Sequence, residues 1–293
     1  MITFTKKANI DIKGIVYICL ASLFFSLMSA SVKLCSTNLN LVEIIFLRSI
    51  IATIILLPFI FILKIKIKTN LYFKHITRAV IGISAMFLNF YAVSKLPLSN
   101  YTIISFAKIF FIIPLAFLFL KEKIKTESFF YIFLGFIGIV FIMGYEDSEL
   151  ELIPFYICAI FATLLIAYIK IFVKSFSKQE SNIKIQFYFS INSSIILLIP
   201  YLILSSKILV SDFFFIFLIS VFGLLAQYFT IEGLRNSAAV KVMPFDYSRI
   251  LFGSIIGVSF FNEKISEGML FGGLIIIFSG IKLFTSKSYK LSK

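Results

Sequence analysis

One histidine and three cysteines are all the imidazole and thiol that 293 residues offer here. The histidine, His75, reads as part of a basic loop, and a single imidazole excludes a multi-histidine metal centre. Cys19, Cys35 and Cys158 lie in or at the end of apolar runs without CxxC spacing, so they read as packing residues rather than a disulfide framework or metal site. No GxxxxGK-Ser/Thr phosphate loop is present, so nucleotide hydrolysis is not expected. No cofactor is expected either. Charged residues make up only 14% of the chain, against 60% hydrophobic residues and a mean hydropathy of +1.04. A soluble domain of this length has no means of burying so much apolar surface, so the bilayer must be its solvent.

What charge there is has one dominant sign. Lys and Arg number 28 against 14 Asp and Glu, a net charge of +14. Such a balance occurs in nucleic-acid binders, but here the cations sit in short loops between apolar runs, which excludes a nucleic-acid partner. Ten runs approach the roughly 20 residues that a spanning helix needs, near 14–35, 41–63, 77–95, 99–120, 128–144, 152–173, 184–204, 212–233, 242–261 and 268–285. The first is too long for a cleavable signal peptide and has no small-residue cleavage site. Lys and Arg orient the chain. With the N-terminus inside, the inner loops carry Lys64 to Arg78, then Lys121, Lys123 and Lys125, then Lys174, Lys178 and Lys184, then Arg235 and Lys241. The outer loops carry only Lys95, Lys207 and Lys264, together with the acidic stretch Glu146 to Glu151. The expectation is an all-α membrane protein of ten transmembrane helices with both termini cytoplasmic.

The chain also contains one unit of roughly 140 residues twice. SNYTIISFAKIFFIIPLAFLFLKEKI, from Ser99, corresponds to VKVMPFDYSRILFGSIIGVSFFNEKI, from Val240. When Glu122 is set on Glu263, Lys108 falls on Arg249 and Gly82 on Gly223. Arg48 then matches Ser190, and Lys33 matches Lys170. The expected units are residues 1–145 and 152–293, joined by an external linker at 146–151. Five spans per unit is an odd number, so the second copy enters the membrane inverted, an arrangement that builds a midplane site between repeats.

These two five-helix units resemble the drug/metabolite transporter superfamily, and within it the ten-helix EamA-type carriers. The resemblance rests on FLKEKI and FFNEKI, the Arg48 helix, and the Gly-rich GFIGIV and GGLIIIFSG. The segment PFDYSRILFGSIIGVSFFNE also resembles the S-adenosylmethionine uptake branch. The resemblance implies a multi-pass carrier of a bacterial inner membrane that moves small metabolites and is not an enzyme.

The residues themselves point to where a solute would bind. Lys108 is about fourteen residues from Glu122 and about nine from Ser99, so either membrane face is roughly 13 Å or more away. Snorkelling does not cover that distance, so Lys108 must face protein, water or a solute carboxylate. Arg249 occupies the matching position, with Asp246 three residues earlier on one helical face. Asp246 and Arg249 form either a local ion pair or a zwitterion clamp. Arg48 is expected to line the same cavity or to pair with Glu43. Tyr91, Asn89, Gln227 and Tyr247 are expected to supply hydrogen bonds to a solute. Glu232, facing Asp246 or Lys241, and the matched Lys33 and Lys170 are candidates for gating or coupling, while Glu122 and Glu263 read as helix-end residues. The expected partners are the lipid bilayer and a small polar, carboxylate-bearing metabolite of amino-acid or S-adenosylmethionine type, with protons or a counter-substrate supplying the energy. A channel or scaffold is the alternative, and a membrane-embedded enzyme ranks last because interior acids are not clustered.

Overall fold

The computed structural model describes residues 2–120, 127–144, 151–205, 209–264 and 267–285. Every regular element among them is a helix, as expected of a backbone that must satisfy its own hydrogen bonds in lipid. The elements are α1 (Ile2–Cys35), α2 (Leu41–Ile62), α3 (Tyr72–Lys95), α4 (Leu98–Phe106), α5 (Lys108–Leu120) and α6 (Glu127–Gly144). They continue with α7 (Ile153–Phe176), α8 (Asn182–Leu204), α9 (Val210–Asn236), α10 (Ala239–Val242), a 3-10 segment (Met243–Tyr247), α11 (Ser248–Phe261) and α12 (Glu267–Thr285). Seven described helices are long and apolar enough to cross a membrane, counting Asn100–Leu120 as one, and three shorter apolar helices cover Phe129–Phe141, Ser248–Phe261 and Leu270–Ser279. Glu122 with its neighbouring lysines, and most of the acidic stretch at 146–151, lie outside the described residues.

Helix ends are set locally. Asn40 caps α2 by accepting from the Glu43 N–H at 3.0 Å, and Glu43 accepts from the Asn40 N–H at 2.9 Å. This reciprocal box satisfies two of the donors that a helix start leaves open. It also occupies Glu43, which therefore does not pair with Arg48. The start of α3 corrects the sequence expectation. The helix begins at Tyr72, so His75 is no loop residue. It is fully buried, with its ring stacked on Tyr188 at 4.4 Å between centroids. Arg78, expected in the same loop, lies more than one turn inside the helix.

The helices of one half pack on those of the other in matched pairs. Helix α1 runs along α9 and α7 along α3, while α2 packs on α8, α6 on α12 and α4 on α11. Rings interleave along the first pair, with Phe24 over Phe229 at 5.8 Å and Tyr17 over Phe229 at 5.9 Å. The aligned glycines have matched roles. A Cβ at Gly82 would meet Phe189 of α8 at 2.5 Å, and one at Gly223 would meet Arg48 of α2 at 2.5 Å. Large apolar side chains point outward, Phe260, Ile203 and Phe61 among them, as suits a lipid-facing surface. Helices in lipid gain little from apolar burial, so close backbone approach through small residues becomes the main source of packing.

The α6–α12 contact offers a test of this account. A Cβ at Gly138 would stand 2.8 Å from the Gly272 carbonyl oxygen, whereas one at Gly273 would meet only Ile103 at 3.5 Å. Thermal unfolding in detergent should show Gly138→Leu destabilised by about 1–3 kcal/mol. Gly273→Ala should be neutral or slightly stabilising.

Candidate functional site: a cationic cavity between two broken helices

Two helices are interrupted at matching places. The first break is the turn at Ala107, where the Ala107 N–H donates to Ile104 O at 2.9 Å and the Phe110 N–H to Ala107 O at 2.9 Å. The second is the 3-10 segment Met243–Tyr247, immediately before α11. Lys108 begins α5 and Arg249 is the second residue of α11, so both cations sit at the breaks. Carbonyls freed by unwinding at this depth require donors, and one face of α1 provides them. Cys19 donates to Phe245 O at 3.9 Å and Ser26 to Arg249 O at 3.4 Å, while Ser22 gives its proton to the Asp246 carboxylate. Ser22, Ser26 and Ser29 recur at helical spacing, a pattern present in the sequence that attention to charge passes over.

Asp246 does not pair with Arg249. Its Oδ2 contacts the Lys108 ammonium, and its Oδ1 accepts from Ser22 at 2.5 Å. Both partners of the ion pair are 2% exposed. With both oxygens taken, Arg249 turns instead to Ser29 Oγ at 3.0 Å and Tyr101 OH at 3.4 Å, with its guanidinium 5.2 Å from the Phe25 ring centre. Tyr101, which the sequence reading did not single out, donates in turn to Asn89 Oδ1 at 2.6 Å.

Between the halves lies a cavity of about 900 Å³, mouth included. Five cations line it: Arg48, Arg78, Lys108, Lys170 and Arg249. Arg48 donates to Met86 Sδ at 3.2 Å. Arg78 donates to Gln227 Oε1 at 2.7 Å and lies over the Phe189 ring at 4.3 Å. The Lys170 ammonium has Met243 Sδ at 4.0 Å and the Phe25 ring at 5.9 Å. Among the described residues, none of Arg48, Arg78, Lys170 and Arg249 has a carboxylate within ion-pair distance. The Nε atoms of all three arginines are buried without a hydrogen-bond partner. An uncompensated cation at membrane depth costs at least about 2.5–3.5 kcal/mol, so this concentration of charge is expensive without a ligand.

The remaining expected site residues separate. Asn89 and Gln227 line the cavity. Tyr91 does not; it is 41% exposed and tilted against Phe155 at 5.1 Å, so it leaves the site. Glu232 does not pair with Asp246, and the Lys241 side chain lies outside the described residues. It pairs with Arg235 at 2.9 Å and accepts from Asn182 at 2.9 Å, a helix-end arrangement. Tyr247 belongs to the 3-10 segment, and its side chain lies outside the described residues. Lys170, a candidate for gating or coupling from the sequence, is a buried residue of the cavity wall.

Lys33 stands apart from the cavity. Its ammonium pairs with Glu263 Oε1 at 2.7 Å and donates to Leu96 O at 3.0 Å. The same Glu263 oxygen accepts from the Leu98 N–H at 2.6 Å. Glu263 thus ties the end of α1 to the start of α4, where the helix dipole favours an anion.

The buried pair has a measurable consequence. Asp246→Asn leaves Lys108 without its anion, a change that costs about 3–5 kcal/mol, and thermal unfolding in detergent should fall accordingly. The double variant Lys108→Met with Asp246→Asn should recover much of the loss, because the stranded charge is gone.

Comparison with known proteins places this geometry. Residues 12–144 and 153–285 each match the EamA-like transporter family. A Helicobacter pylori protein (strain J99 / ATCC 700824) described as an uncharacterized transporter is 31% identical over 284 residues, covering 92% of this chain and 95% of its own. The S-adenosylmethionine uptake transporter of Rickettsia bellii is 27% identical, covering 89% of each chain. The pseudopaline exporter of Pseudomonas aeruginosa (strain UCBPP-PA14) is 26% identical, covering 94% of this chain and 96% of its own. A solved crystal structure superposes with a TM-score of 0.67 at 11% identity, over 95% of this chain and 96% of that one, which speaks for the fold alone. The chain belongs to the EamA-like transporter family of the drug/metabolite transporter superfamily, and is a multi-pass membrane transporter.

Proposed function

We propose that the chain is a secondary carrier that moves a small polar, carboxylate-bearing metabolite, of amino-acid or S-adenosylmethionine type, across a bacterial inner membrane. The observation that carries this reading is a cavity between paired halves, lined by buried cations of which four have no carboxylate within ion-pair distance among the described residues. In this reading the chain has ten spans in two inverted halves, residues 1–145 and 152–293, with the linker at 146–151 outside and both termini inside. Two neighbouring helices then build each wall, one from each half, and rocking of the halves exposes the cavity to one side at a time. Matched packing of α1 on α9 and of α7 on α3 supports this arrangement over an open channel.

The orientation assigns Lys33 and Glu263 to the outside. Their clasp joins α1, α11 and the α3–α4 junction, so it closes that face. The cavity reaches Leu234, two residues before the end of α9, which points its mouth inward. Protons or a counter-substrate supply the driving force. Named residues then have roles: Arg249 and Arg48 bind anionic oxygens of the solute, Lys108 and Asp246 hold the two breaks together, Asn89 orients Tyr101 and Gln227 orients Arg78.

Uptake into proteoliposomes with a panel of labelled amino acids, carboxylates and S-adenosylmethionine tests the reading. Transport of at least one of them in either direction is expected, and none at all would defeat it. For a solute that is carried, Arg249→Gln should lower kcat/KM by about 10- to 100-fold, the worth of a charge-assisted hydrogen bond. Its unfolding temperature should stay within a few degrees of the parent's. Unchanged kinetics would remove Arg249 from the site. Glu263→Gln should speed reaction of an external thiol reagent with a cysteine placed at Ala85 in the cavity wall. An unchanged rate would show that the clasp is not the closure.

A further inference from the structure

We propose that the solute recognised in this cavity carries at least two anionic groups, one held by Arg48 and Arg78 and the other by Lys170 and Arg249. The inference rests on the carrier reading above, keeps its small anionic solute, and replaces the amino-acid or S-adenosylmethionine type with a dianionic one.

Charge on the cavity wall is the first argument. Five cations face the cavity. Asp246 compensates Lys108 and is consumed by it and by Ser22. Four cations remain, and they fall in two groups. Arg48 reaches Met86, about two turns from Arg78 on α3, whereas Lys170 and Arg249 both face the Phe25 ring, at 5.9 and 5.2 Å. A single carboxylate in one group leaves the other uncompensated in a low-dielectric setting. Two anionic groups on one short skeleton neutralise both.

The acceptors make the second argument. An amino acid or a sulfonium compound brings a positive charge that needs an oxygen to meet it. Three side chains near the site have a carboxylate or carboxamide oxygen to offer, and each is engaged. Asp246 holds Lys108, Asn89 Oδ1 takes the Tyr101 hydroxyl at 2.6 Å, and Gln227 Oε1 takes Arg78 at 2.7 Å. The donors are in the opposite condition. The Nε atoms of Arg48, Arg78 and Arg249 are buried without a hydrogen-bond partner, and each arginine as a whole is 3–4% exposed. A guanidinium fork matches carboxylate and phosphate oxygens two at a time. Between the two groups the wall is apolar, with Phe25, Phe90, Ile166 and Phe189, which suits a short carbon skeleton. The shared chemistry is that of a dicarboxylate or a phosphate monoester.

The full chain in proteoliposomes separates these possibilities. The probes are succinate, glycerol 3-phosphate, lactate, alanine and S-adenosylmethionine, each offered alone and as a competitor. Succinate or glycerol 3-phosphate should exceed lactate, alanine and S-adenosylmethionine in kcat/KM by at least about 10-fold. Which of the two dianions leads identifies the anionic group. Arg78→Gln should cut dianion kcat/KM about 10- to 100-fold while altering lactate transport far less, a shift of preference that mere loosening of the fold would not produce. Should that variant fail to fold, the unfolding temperature of the parent protein serves instead, because a ligand that binds only the native state raises it. The dianions should raise it at concentrations where lactate and alanine do not. Transport of lactate, alanine or S-adenosylmethionine at least as efficient as that of both dianions overturns the inference and leaves the carrier reading standing. Absence of transport and of thermal stabilisation across the whole panel overturns both.

Discussion

The ion pair between Lys108 and Asp246 joins two helices at the points where each stops being helical. Neither break is tenable alone. Unwound backbone at membrane depth exposes carbonyls, and a cation or carboxylate there has no water to stabilise it. Placing the two breaks against each other lets one charge answer the other, while α1 supplies donors to the carbonyls through Cys19 and Ser26. The breaks in turn position the remaining charges. Lys108 opens α5 and Arg249 lies one residue into α11 because the chain restarts its helices there.

Duplication accounts for the frame and its departures for the charge. The halves pack helix on matched helix, and Gly82 and Gly223 make room for side chains of α8 and α2 respectively. Where Gly82 admits the apolar Phe189, Gly223 admits Arg48. The cavity is therefore geometrically paired and electrostatically one-sided. Four cations lack a carboxylate within ion-pair distance among the described residues, and the only interior acid at the site is committed to a fifth. Asymmetry of this kind, carried on a paired scaffold, is what orienting a charged solute requires.

The apolar helices were legible because apolar runs bounded by cations have one reading in a chain this hydrophobic. Lys108 and Arg249 were legible for the same reason, each being a lone cation deep in such a run. Arg78 was not, since its burial depends on α3 starting at Tyr72, and tertiary packing decides that start. Asn89 lines the cavity and Tyr91 does not although they are two residues apart, because that step turns about 200° around a helix and carries the side chain from cavity to exterior. The Asp246–Arg249 spacing suggested a local pair, but the 3-10 segment and Lys108 from the other half redirected it. Partners from the far half of the chain are what local spacing cannot reveal.

The central claim is that one cavity, open to one side at a time, binds an anionic solute against buried cations. Its most direct test is the labelling of Ala85→Cys, in a background with Cys19, Cys35 and Cys158 replaced, by a membrane-impermeant maleimide in oriented vesicles. The account predicts labelling from the cytoplasmic side, little from the external side, and protection by the transported anion. Equal labelling from both sides, or labelling indifferent to that anion, would contradict it.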